Sequence, residues 1–451
     1  MNNWRRNTHW LCKTANSPAT IQALIGHFLL DRTSPSLLSK EIARDQENKQ
    51  CRTWGTTPFE KIVKSNEELN WLISNPKSFR NAVCIIEPAD HVGQNNAREN
   101  VRASSNIAFL CRTIADCDSI LFPLWQSGML DEDSLHHVFE TSLAVIVEGG
   151  HPTAKDASSF DNQDISLDEL HKVVESLILS RNNKSAPQIF ICIGHQLAAQ
   201  AHTHLIKRAV KEIREYLPSI IASTAYQYQL IIELCNDIEN VGKTLKIVKD
   251  GKIVAKGWDD PEFSVALNEA PEVGQCELKH YSHTGVHPSP SFKHLLIKHD
   301  ETSDEYDGIV EQSISYEKNL NILMFHSDEV NEEAILFANW AYSSIYKILI
   351  SCRREIALSK LSWLLDLPTS VEILCSTSAK GKTFTEVAAT CISYVDEESK
   401  EIRRSFSFQF HPELLDDLRE FHIAGAPQYS ELKKDDGVRM LMRVLYESMM
   451  D

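Results

Sequence analysis

The chain has 451 residues, 42% hydrophobic and 24% charged, with a formal net charge of −17 and a pI near 5.5. This is ordinary globular composition, long enough for a large core and two or three units, and its acidity argues against general binding to nucleic acid or to anionic membrane. No apolar run reaches the length of a membrane span. The 11 cysteines are irregularly spaced with no Cys-x-x-Cys pair, which favours reduced thiols in a cytoplasm over a disulfide framework or a zinc site. No metal and no cofactor is expected.

The first thirty residues contain no acidic side chain, while Arg5, Arg6 and Lys13 are basic. An organellar transit segment has that character, and so does an ordinary amphipathic start; both readings stay open. Residues 1–80 read as a mostly helical, polar extension with Trp4, Trp10, Trp54 and Trp71 available for packing. Ala82 to Pro88 reads as the first core strand, Asn95 to Ala115 as a helix, Asp118 to Trp125 as a second strand, Ser134 to Glu140 as a helix and Leu143 to Val147 as a third strand. Such alternation predicts a parallel sheet with helices on both faces. Ligands in such sheets bind at the carboxyl ends of the strands.

Residues 156–170 read as a surface loop, and Asp168 to Ser180 has helical periodicity. The apolar run Pro187 to Ile193 ends on a thiol, Cys192, with glycine close behind at Gly194. That pattern reads as strand, tight turn and helix with the thiol held at the turn, where a helix N-terminus favours the thiolate. The helix continues through His204, and Ile206 to Asn240 reads as one or two long helices broken near Pro218. Asp250-Gly251, flanked by Leu245 to Val248 and Lys252 to Ala255, signals a β-hairpin. Glu301 to Asp307 is an acidic loop, residues 331–366 read as helical, and residues 426–451 as a C-terminal helical segment.

Two strings carry most of the chemistry. Ile191-Cys192-Ile193-Gly194-His195-Gln196 supplies a thiol nucleophile; taken alone, a cysteine there is also a common small core residue. Gln409-Phe410-His411-Pro412-Glu413 supplies an imidazole base and a carboxylate to orient it. On an extended segment, positions 411 and 413 leave the same face. Two Gly-Lys-Thr triplets, at Gly242 and Gly381, lack the glycine a phosphate loop needs five residues earlier; Asp237 and Ser376 stand there. His202-Thr203-His204 is discounted as a metal pair because a helix sends the two rings to different faces.

These strings resemble those of the class I, triad-type glutamine amidotransferases. Two further matches follow in the family's chain order. Glu148-Gly149-Gly150-His151-Pro152 is similar to the family's Gly-Gly-Pro oxyanion loop, and Phe325-His326-Ser327-Asp328-Glu329-Val330 to the segment that lines its glutamine pocket. Weaker echoes are Glu272-Val273-Gly274 and Leu367-Pro368 before Val371 to Leu374. The resemblance implies an α/β, flavodoxin-like fold over residues 81–425, with helical and hairpin insertions at about 205–262 and 331–366. It implies a glutaminase that forms a γ-glutamyl thioester on Cys192, with His411 as base and Glu413 as its orienting carboxylate. The oxyanion hole would be the N–H groups of Gly150 and Ile193. Gly149, Gln196, His326, Ser327 and Asp328 would meet the substrate, glutamine or a related amide. Ammonia would pass to a synthetase partner, and the insertions offer a surface for that partner or for self-association. A hydrolase or transferase of another γ-glutamyl compound and a degenerate binding or regulatory relative are the alternatives. Three positions depart from the pattern: Phe190 and Ser407 stand where the family has glycine, and His151 separates Gly150 from Pro152. The bulk of Phe190 predicts a displaced turn.

Overall fold

The structure is a computed structural model that describes residues 60–76, 82–89, 118–150, 154–161, 163–180, 186–220, 225–280, 320–377, 386–395 and 401–411, with isolated helical positions in 104–111 and 437–445. Strand β1 (Glu60–Ile62) and helix α1 (Asn66–Ser74) come from the segment read as an N-terminal extension. The Ser65 hydroxyl accepts the Glu68 N–H at the start of α1, and Glu67 and Glu68 occupy its first turn. Both features suit the positive end of a helix. Strands β2 (Ala82–Glu87), β3 (Asp118–Pro123), β4 (Ala144–Val147) and β5 (Gln188–Ile191) alternate with helices α2 (Leu124–Ser127), α3 (Glu132–Thr141) and α4 (Leu167–Ser180). One residue after β5, the chain enters α5 (Ile193–Ile220), followed by α6 (Ala225–Thr244) and the hairpin β6 (Lys246–Lys249) and β7 (Lys252–Lys256). Asp250 and Gly251 take φ values of 48° and 74°, the two positive angles that a type I′ hairpin turn requires.

The remaining elements are β8 (Val265–His280), β9 (Leu320–Val330), α7 (Glu332–Ser351), α8 (Arg353–Ala357), β10 (Ser370–Thr377), β11 (Glu386–Val395) and β12 (Ile402–Phe408). Ten strands form one sheet in the order β1-β3-β2-β4-β5-β12-β11-β10-β8-β9. Every pairing from β1 to β12 is parallel. Every pairing from β12 to β9 is antiparallel. The sheet is therefore mixed and not parallel throughout as the sequence pattern predicts. The cause lies in the connections. Eight residues separate β10 from β11 and six separate β11 from β12, and a link that short can only return a strand antiparallel.

Period-2 alternation sends β2 side chains to two cores. Ala82, Cys84 and Ile86 face the layer that holds α3, α4, α5 and α7. Val83 and Ile85 face helical residues Ile107, Cys111, Met440, Leu441 and Val444 on the other side. Helical residues thus cover both faces. The helical segment at 331–366 buries its apolar stripe within the protein: α7 packs on β10 and α5 and buries Phe337, Tyr342, Ile345 and Leu349. Among the described residues, no helix is long and apolar enough to cross a membrane.

His202 lies inside the α-layer, its Nδ1 3.1 Å from the Tyr342 hydroxyl. Burial first, and the neighbouring His195 second, push its pKa down from 6.5 to about 3. The native state refuses a proton that the unfolded chain accepts below its ordinary pKa. Stability is therefore full above about pH 6.5 and falls as the pH drops towards 3, by on the order of 4 kcal/mol for this group. Urea unfolding midpoints should fall across that window. His202→Gln, which keeps a side chain able to meet Tyr342, should flatten the decline.

Candidate active site

β4, β5 and β12 are adjacent and parallel, with Val147 opposite Phe190 and Ile191 opposite Phe408. Their carboxyl ends therefore coincide. Just beyond them stand Gly149, Cys192 and His411, three residues the sequence scatters and the sheet gathers. Cys192 has φ 51°, the left-handed region that costs a side-chain-bearing residue roughly 1–2 kcal/mol. Its N–H reaches the Phe408 carbonyl at 2.7 Å, and its own carbonyl accepts the Gln196 N–H at 3.0 Å. The strained residue is thus bonded on one side to the strand that leads to His411 and on the other to α5. Phe190 lies two residues before Cys192. Its ring is fully buried among apolar residues of the helical layer. Gly194 explains why the turn can be so close: a Cβ there would lie 2.6 Å from the Val147 carbonyl oxygen.

Gly149 gives the best measure of the site. A Cβ built on it would stand 3.0 Å from Cys192 Cβ, 3.0 Å from His411 Cε1 and 3.6 Å from Cys192 Sγ. Thiol and imidazole therefore flank one empty point, and a glycine keeps it empty. Cys192 and His411 are both buried. The N–H of Ile193, at the start of α5, belongs to the group that helix geometry leaves without an intrahelical acceptor. Gly150 sits beside Ala89 so tightly that a Cβ would come within 2.4 Å of the Ala89 Cβ. His151 and Glu413 lie outside the described residues.

The segment expected to line the pocket is a strand. β9 runs through His326, Ser327 and Asp328; the side chains of the first two fall outside the described set. Asp328 is buried, and its carbonyl accepts the Gln196 amide at 3.2 Å. Sequence reasoning missed Gln200, one turn further along α5. Its Nε2 donates to the Ala154 carbonyl at 2.9 Å and its Oε1 lies 2.8 Å from His171 Nε2. Gln200 thereby ties α5 to the chain leaving the Gly149-Gly150 loop. The signal was its four-residue spacing from Gln196, which puts both amides on one helix face.

Gly242, Lys243 and Thr244 close α6, with Gly242 packed against the Trp258 ring. Gly381 lies outside the described residues. His204 turns away from His202 and meets Glu175 at 3.1 Å. Among the described residues, no group of three His, Cys, Asp or Glu side chains is placed to hold a metal ion.

No family model matches the chain, and no curated protein matches it. Among solved structures it is similar to the glutaminase domain of Trypanosoma brucei CTPS with bound acivicin, at 12% identity and a TM-score of 0.33, covering 80% of this chain and 93% of that one. A likeness of that size says nothing about the chemistry, which has to rest on the site itself.

Two variants test the geometry. Gly149→Ala pushes a methyl group between thiol and imidazole, and any activity of the site should fall at least about a hundredfold with the fold retained, because small misplacements at a reacting pair cost that much. At position 192 the usual order of helix-side residues should reverse. Cys192→Gly should unfold at higher urea than Cys192→Ala, by about 1 kcal/mol, because only glycine is at ease at positive φ.

Proposed function

We propose that the chain is a glutaminase of the amidotransferase type, cleaving the side-chain amide of glutamine through a thioester on Cys192. What supports this most is the pair of Cys192 Sγ and His411 Cε1 gathered around the bare Cα of Gly149. His411 takes the thiol proton as Sγ attacks the amide carbon. The N–H groups of Gly150 and Ile193 receive the charge on the carbonyl oxygen. The C–N bond then breaks, and His411 returns its proton to the departing ammonia. Water, deprotonated by the same imidazole, hydrolyses the thioester and releases glutamate and the free thiol. Glu413 holds the imidazole tautomer and stabilises its charged form. Gln196, His326, Ser327 and Asp328 line the substrate side, and the ammonia goes to an acceptor reaction on a partner chain.

A related substrate is favoured by one observation. Lys249, on the added hairpin, forms an ion pair with buried Glu329, next to Asp328. The insertion is thus fastened to the strand that carries Asp328, and a γ-glutamyl amide other than glutamine is the second reading.

Ammonia release from glutamine, and from a panel of γ-glutamyl amides, tests both readings. 6-Diazo-5-oxo-norleucine should label Cys192 stoichiometrically. Burial lifts the Cys84 thiol to about 12 and the Cys235 thiol to about 11, so these remain protonated and unlabelled. Cys192→Ala should lose more than about a thousandfold in turnover, and Glu413→Gln should lose less than His411→Asn, since orienting a base costs less than removing it. Turnover near wild type in the alanine variant would remove Cys192 from the mechanism.

A further inference from the structure

One polar cluster lies a helical turn behind the thiol and is built from a residue that departs from the family pattern. His195 Nδ1 is 2.7 Å from Ser407 Oγ, His195 Nε2 is 3.2 Å from the Val387 carbonyl, and Thr390 Oγ1 is 2.5 Å from Ser407 Oγ. His195 and Ser407 are each 1% exposed and Thr390 2%, so water cannot replace any of these bonds.

The hydrogen order follows from the partners. A carbonyl only accepts, so His195 Nε2 carries a hydrogen. In the neutral ring Nδ1 then accepts the Ser407 hydroxyl hydrogen. Ser407 oxygen in turn accepts from Thr390. One imidazole is thereby bonded to β11 through Val387 and to β12 through Ser407. It sits three residues after Cys192, while Ser407 sits four residues before His411. The bonds tie the helix that carries the thiol to the strand that carries the imidazole base.

We propose that Ser407 is a positioning residue. Through His195 it holds α5 against β12 and so sets the approach of Cys192 Sγ to His411. This rests on the reading of Cys192 and His411 as nucleophile and base. Glycine at 407 would offer His195 no partner. Alanine would also strand the Thr390 hydroxyl in a dry site, and an unmet buried polar group is costly enough to move the elements that carry it. Thr390→Val removes the donor to Ser407 but leaves the Ser407 hydroxyl free to donate to His195.

The test is alkylation of Cys192 by iodoacetamide in the full chain, followed from about pH 5 to about pH 9 with the labelled residue identified by mass spectrometry. Wild type should react at neutral pH through an imidazole-assisted thiolate. Ser407→Ala should react about tenfold more slowly there, with its profile displaced to higher pH, while its circular dichroism stays native. Thr390→Val should shift the same way by less. A reactive wild type with an unchanged profile in Ser407→Ala overturns the proposal and leaves the nucleophile standing. If Ser407→Ala does not fold, an unchanged profile in His195→Leu, which removes the imidazole through which Ser407 acts, overturns it instead. A wild-type Cys192 that reacts only as an ordinary thiol overturns the nucleophile and this proposal together.

Discussion

The pairing of β5 with β12 is the contact on which the site depends. These strands are separated by most of the helical layer in sequence, yet they lie side by side and parallel, with Ile191 opposite Phe408. Parallel order makes both chains leave the sheet at the same end, and the bond from the Cys192 N–H to the Phe408 carbonyl fixes where the first of them turns. A slip of one residue would send the side chains of β12 to opposite faces. Phe406 and Phe408 would leave the core they share with Phe410, and Ser407 would lose His195. Apolar burial therefore sets the register, and the register sets the distance between thiol and imidazole.

Helix α5 gives the site its second dimension. Cys192, Gln196, Gln200 and His204 recur every four residues and make one stripe. Gln196 holds the β9 wall at Asp328, and Gln200 holds the chain beyond Gly150 at Ala154. Both walls are thus referred to the helix that begins one residue after the thiol. This arrangement accounts for a left-handed cysteine. A residue at φ 51° persists only where its neighbours determine it from several sides, and here β12, α5 and the close pass of Gly194 under Val147 all do so.

Much of this was legible in the sequence because it is local. The strand ends at Val147 and Ile191, the turn at Cys192, the helix after it and the Asp-Gly hairpin each follow from a run of a few residues. The sheet order was not legible, because no local pattern says that β12 lies against β5, or that β8 and β9 extend the far edge. The apolar runs of β10 to β12 look alike whether buried in a parallel or an antiparallel sheet. Ser407 shows a different limit. In sequence it is only a serine where a glycine is usual, and its meaning appears once the sheet brings His195 and Thr390 to it. Gln200 was hidden in the same way, by looking like a surface residue of a helix.

The mixed sheet also divides labour within the site. Gly149, Cys192 and His411 all stand at ends of the parallel half, where strand termini and the first turn of a helix present N–H groups and leave little room for change. Asp328 and the strand that carries it belong to the antiparallel half, which adds and lengthens strands without disturbing that end. The hairpin reaches this second half through Lys249 and Glu329. On the proposed reading, a hairpin there can alter the wall that would meet a substrate while Cys192 and His411 keep their spacing. On the proposed reading, choice of amide would therefore change by replacement in the antiparallel wing, whereas the thiol chemistry would tolerate almost no substitution at the three parallel strand ends.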